Sequence, residues 1–110
     1  MEQVLLVMTN VPDTECAQAL ARSLLEQGLA ACVNWQAGVK SCYRWQGAIE
    51  EASEVSVSIK TTASRYKELQ AAIKALHPYE VPEIIAIPVV TGWEPYLAWV
   101  IEETKKEMND

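Results

Sequence analysis

From Ala30 to Trp45 the chain reads as one strand: Ala31, Val33 and Trp35 alternate with Cys32 and Asn34, and Val39, Ser41, Tyr43 and Trp45 resume the alternation beyond Gly38. Strands in compact domains average about 5 or 6 residues, so this one bends at Gly38 or runs past the core it starts from. Gln46-Gly47 reads as a hairpin turn, and the return run sets Val55, Val57 and Ile59 against Ser56, Ser58 and Lys60, one face packed and one polar. A hairpin this long, with Tyr43 and Trp45 near its tip, carries edges that must be paired or covered if the chain is not to aggregate. The sequence therefore predicts a specific oligomer.

The remaining elements fall on either side of that hairpin. Val4-Leu5-Leu6-Val7-Met8 is a short run suited to a buried central strand, and Asp13 behind it is a natural helix N-cap. Ala17, Leu20, Ala21 and Leu24 then form one helical stripe that Gly28 closes. After the hairpin, Thr61-Thr62-Ala63-Ser64 offers N-caps to a second helix with Tyr66, Leu69, Ile73 and Leu76 on one face, and Pro78 halts it. Ile84-Ile85-Ala86-Ile87 reads as a second buried strand whose far end, at Pro88, lies at an edge. Pro95 opens a last helix with Leu97, Val100, Ile101 and Thr104 inward, and the tail from Lys105 to Asp110 is solvated. The order β-α-β-β-α-β-α is that of an α+β, ferredoxin-like domain (βαββαβ) with an added C-terminal helix: an antiparallel sheet, helices on one face, and a long central hairpin.

Length and composition narrow the function. A chain of 110 residues, half of them hydrophobic and 22% charged, matches a single globular domain spanning residues 1–110. A net charge of −6 repels phosphate backbones, and no Lys/Arg cluster offsets it, which argues against nucleic acid as a partner. No apolar run is long enough to span a bilayer, and Met1-Glu2 does not begin an export signal, so the expected location is the cytoplasm, away from membranes. Cys16, Cys32 and Cys42 are odd in number and widely spaced, which fits a reducing compartment and neither a disulfide framework nor a zinc site.

A small set of side chains could carry chemistry. His77, the only histidine, stands at a helix end before a proline-rich turn; it can ligate a metal or move a proton, or it can simply interact with the helix carboxyl end. Glu80 and Glu83 flank Pro82 and, with Lys60 as a partner, read either as a small pocket for an anionic ligand or a metal or as an ion pair stapling turn to sheet. Cys42 lies between Lys40 and Arg44 on one strand face, a setting that can activate a thiol, although free cysteines more commonly pack as small apolar groups. No serine elbow, phosphate loop or oxyanion-forming motif accompanies these residues, so the reading is of a binding protein and not an enzyme.

Taken in order, Leu29-Ala30-Ala31-Cys32-Val33, Tyr43-x-Trp45-x-Gly47, Lys60-Thr61, His77-Pro78-Tyr79-Glu80-x-Pro82-Glu83 and Tyr96-Leu97-x-Trp99 closely resemble the CutA divalent-cation tolerance family, from about Val4 to Val100. The resemblance implies a ferredoxin-like domain in a cytoplasmic homotrimer, with strands paired across subunits and Tyr43 and Trp45 among the trimer contacts. It also implies a link to copper and other divalent metals, with copper held in some members by a cysteine late in the first strand and two adjacent histidines. Here His77 matches the second histidine, but Leu76 stands at the first and Met8 at the cysteine position. A Met8 thioether and the His77 imidazole suit Cu(I) less well than a thiolate with two imidazoles. The fold is also similar to that of the PII-type signalling trimers, which bind small ligands between subunits; in that reading Lys60, His77, Tyr79, Glu80 and Glu83 line an intersubunit pocket. A third class is a scaffold that anchors other proteins.

Overall fold

In the computed structural model, which describes residues 2–106, the elements are β1 (Val4–Val11), α1 (Thr14–Glu26), β2 (Cys32–Trp45), β3 (Ala48–Thr62), α2 (Tyr66–Leu76), β4 (Ile85–Pro88) and α3 (Glu94–Glu103). The strands form one sheet in the order β2-β3-β1-β4, with every neighbouring pair antiparallel. Val7↔Ile59, Thr9↔Val57 and Val11↔Val55 set the register of the central pair. Side chains at alternate positions share a face, so these residues look towards α1 and α2. There Val7, Val11, Val57 and Ile59 meet Ala17, Leu20 and Leu24 of α1 and Leu69 and Ile73 of α2 in one core. Each large aliphatic buried there contributes about 1.5–3 kcal/mol relative to an exposed one.

The termini of α1 follow local chemistry. The Asp13 carboxylate accepts the Cys16 N–H at 2.8 Å, as an N-cap does, and the helix closes at Gln27. α2 stops where His77 adopts an extended backbone before Pro78 (ψ 132°), because proline disfavours helical geometry in the residue ahead of it. The start of α2 departs from expectation. A 3₁₀ turn, Ala63–Arg65, precedes the helix, and neither Thr62 nor Arg65 caps it through a side chain. The Thr61 hydroxyl instead donates to the Leu29 carbonyl at 2.6 Å, and the Thr62 hydroxyl meets that of Thr104 at 3.4 Å.

That second contact shows where α3 sits. Thr62 and Val4 are on the sheet face opposite α1 and α2, and both are buried, as are Val100 of α3 and Thr104 at its C-cap. α3 therefore covers one end of the second face. The predicted inward stripe holds, with Val100 and Thr104 buried and Leu97 and Ile101 half-buried. β4 corrects an expectation: it is an edge strand, and Ile85 and Ile87 are 48% and 45% exposed. Its apolar sequence is that of a covered strand, but nothing among the described residues covers it.

The long hairpin bends where Gly38 predicts. Gln36 pairs with Ser56 and Val39 with Glu54, so Ala37 and Gly38 together oppose Val55, and Gly38 takes a φ of +89° that favours glycine. The extra residue reverses the faces. Trp35 pairs with Val57 on the α1/α2 side, whereas Tyr43 and Trp45 pair with Glu50 and Ala48 on the opposite side. Beyond the bulge the hairpin projects as an arm, closed by Gln46 and Gly47 at φ 49° and 82° in the left-handed geometry of a tight two-residue turn. The arm stretches the molecule to 50 × 31 × 23 Å and its radius of gyration to 14.9 Å, against about 13 Å for a compact domain of this size.

Candidate functional site

The arm and the segment following α2 enclose a groove of about 1020 Å³. One wall is β2 from Lys40 to Trp45, the other is the turn from Pro78 to Glu83, and Asn10 and Glu54 form the floor. β1 ends at Val11, so among the described residues β3 has no strand on that side past Val55, and the turn packs into the space left open.

Glu54 is the hinge of this arrangement. Only 8% exposed, it accepts the Ser41 hydroxyl at 2.5 Å through one oxygen and the Tyr79 hydroxyl at 2.8 Å through the other. It thus ties the arm to the turn. Burial, the hydrogen bond to Glu54 and the charge of Glu54 together push the Tyr79 phenol well above its ordinary pKa. The Tyr79 ring lies 4.8 Å from that of His77, and the Tyr79 backbone N–H donates to His77 Nδ1 at 3.2 Å. Because Nδ1 accepts, the ring proton sits on Nε2, which donates to the Asn10 carbonyl at 2.8 Å. Burial lowers the His77 pKa, opposed by the Asn10 carbonyl and the Glu54 charge.

The structure brings some expected residues together and separates others. Tyr79, Glu80 and Glu83 line the groove with Tyr43 and Trp45, which are 46% and 36% exposed. Lys60 does not join them within one chain. It lies six residues along β3 from Glu54, roughly 20 Å at strand rise. There it pairs with Leu6 and Cys32, and its ammonium donates to the Asn34 side chain. The Glu83–Lys60 ion pair, one of the two arrangements open to these residues, is accordingly not formed among the described residues. Met8 is half-buried on the face away from the α1/α2 core, between Ser58 and Ile85, while both nitrogens of His77 are engaged as above. Among the described residues, no three His, Cys, Asp or Glu side chains converge closely enough to hold one metal ion. Cys42 is exposed on the groove wall; Cys16 and Cys32 are half-buried, and burial raises the Cys16 thiol pKa. Glu54 was not expected. In the sequence it resembles its neighbours Glu50 and Glu51, and only the proximity of Tyr79 distinguishes it.

This architecture is that of a ferredoxin-like α+β domain whose central hairpin outgrows its sheet. Residues 5–103 match the family model described as CutA1 divalent ion tolerance protein. The chain is 46% identical over 104 residues to the divalent-cation tolerance protein CutA of Thermus thermophilus, covering 94% of this chain and 99% of that one. It is 45% identical to the CutA of Pyrococcus horikoshii, covering 94% and 100%. The crystal structure of CutA from Xylella fastidiosa superposes with a TM-score of 0.90 at 40% identity, covering 93% and 98%. The chain belongs to the CutA1 divalent ion tolerance family. No helix among the described residues is long and apolar enough to cross a membrane.

Proposed function

We propose that the chain works as a cytoplasmic homotrimeric binding protein in divalent-cation tolerance, not as an enzyme, with ligand taken up where the arm–turn groove meets a neighbouring subunit. The observation that carries this is the pair of open sheet edges. β2 and β4 both end the sheet, and Trp35, Ile85 and Ile87 on them are at least 40% exposed. Such edges invite pairing with another chain, and a copy of the same chain offers a complementary edge with matching apolar side chains. Pairing β2 of one copy with β4 of the next, repeated until the ring closes, covers every edge. In this reading Lys60, which does not join the groove of its own chain, lines the pocket from a neighbouring subunit. Replacing Ile87 with Lys, a residue that natural edges use to prevent pairing, is expected to dissociate the assembly while leaving the secondary structure of each chain intact. Sedimentation velocity with circular dichroism reads both; an unchanged assembly would reject edge pairing.

Copper is the metal proposed for His77 and Met8, with binding expected to be weaker than at a thiolate with two imidazoles. Ligation at either ring nitrogen of His77 breaks a hydrogen bond that holds the turn, and a thioether with one imidazole is a fragment of a soft-metal set. Competition against a Cu(I) chelator, with His77→Ala and Met8→Leu beside the parent, tests this. Tight binding that survives both substitutions would move the site to the cysteines.

A further inference from the structure

We infer that the arm–turn groove takes an organic cation, a small alkylated or quaternary ammonium, held between aromatic faces and carboxylates. The inference deepens the pocket reading above and rests on it. Its starting point is the bulge at Ala37 and Gly38. Past it, Ser41, Tyr43 and Trp45 pair with Ala52, Glu50 and Ala48 and so share the face of Glu54. Lys40, Cys42 and Arg44 pair with Ser53, Glu51 and Ile49 and take the other face, where the Lys40 ammonium donates to the Ser53 hydroxyl at 2.7 Å. Both sets border the groove, but the register sorts them: the side that carries Glu54, and with it Tyr79, presents aromatic rings and acid, and the basic side chains turn away.

The opposite wall reinforces that sorting. Tyr79 is held in place by its 2.8 Å hydrogen bond to Glu54, and Glu80 and Glu83 beyond it are exposed, with no ion pair among the described residues. The groove thus offers Tyr43, Trp45 and Tyr79 together with Glu54, Glu80 and Glu83. A bare divalent ion needs several ligand atoms at coordination distance, and these carboxylates do not converge that closely. A cation of larger radius, with its charge spread over an apolar shell, needs no such convergence. Ring faces attract it directly, and carboxylates several ångströms away still contribute. The net charge of −6 adds attraction of the same sign. At about 1020 Å³ the groove accommodates such a ligand with space to spare.

The test uses the full chain in its assembled form, labelled with ¹⁵N and titrated with tetramethylammonium chloride, and separately with sodium chloride at equal ionic strength, magnesium chloride and sodium phosphate. The inference predicts saturable shifts of the Tyr79 amide and the Trp45 indole N–H with tetramethylammonium and none with sodium. It also predicts a Kd weakened by at least about tenfold in the Glu80→Gln/Glu83→Gln double variant, with sedimentation confirming that this variant still assembles. Saturation by magnesium or phosphate at these residues, without a response to tetramethylammonium, would overturn it and leave the pocket reading standing. An assembled parent that responds to none of the probes would also overturn it. A parent that sediments as a single chain would remove the intersubunit pocket on which it rests.

Discussion

β2 and β3 run through two different worlds. In the body of the molecule β3 has β1 at its side and two helices above it, and Val57 and Ile59 are fully buried. Past the bulge, among the described residues, the same strand has only β2 for a neighbouring strand, and Ile49, an equally apolar residue, is 70% exposed. A two-stranded ribbon is marginally stable in water, so the body holds itself together while the arm depends on what it meets. The difference separates what folds the chain from what the chain uses to find partners and ligands.

Substitutions at matched positions sharpen that contrast. Ile59→Ala opens a cavity in the core and is expected to cost about 2–5 kcal/mol in urea unfolding, whereas Ile49→Ala should stay within about 0.5 kcal/mol when measured on the dissociated chain. Equal costs at the two sites would mean that the arm is as self-sufficient as the body. Next in size, Tyr43→Asp with Trp45→Glu should weaken assembly by at least about tenfold, because aromatic contacts become buried charges. Concentration-dependent sedimentation measures the change, and an unaltered dissociation curve would remove the arm from the interface.

The clasp between arm and turn gives smaller effects. Tyr79→Phe deletes the hydroxyl donated to Glu54 and is expected to lower stability by about 1 kcal/mol in thermal or urea unfolding. No loss would mean that Glu54 is satisfied by Ser41 alone.

The smallest effect is the dependence on pH. Burial places the His77 pKa below its ordinary value of 6.5, so the unfolded chain binds the proton more readily than the folded one. Stability from this group is complete above the unfolded value and is lost as pH falls below it towards the folded one. The proton would enter at Nδ1, where the Tyr79 N–H now donates. Denaturation curves between pH 7.5 and 5 should therefore fall more steeply for the parent than for His77→Gln; parallel curves would contradict the lowered pKa.

Much of this architecture is legible in the sequence. Alternation along Val55 to Ile59, the cap at Asp13, the stop at Pro78 and the bend at Gly38 are local signals, and the structure follows each of them. What escaped a linear reading depends on long-range geometry. The bulge changes which face Tyr43 and Trp45 occupy without altering the odd-numbered alternation they share with Trp35. The threonines before α2 look like caps but spend their hydroxyls on Leu29 and Thr104. Lys60 and the Glu80–Glu83 turn belong to opposite ends of β3, which no local pattern encodes. β4 reads as buried because its sequence is that of a covered strand, and composition does not record whether the cover comes from the same chain or another.

Whether a second copy supplies that cover is tested most directly by the mass of the particle in solution. Light scattering coupled to size exclusion, at micromolar concentration and ordinary salt, should give the mass of three 12.3 kDa chains. A stable particle with the mass of one chain would leave β2, β4 and the arm aromatics exposed to water, and would contradict the reading of these edges as a built interface.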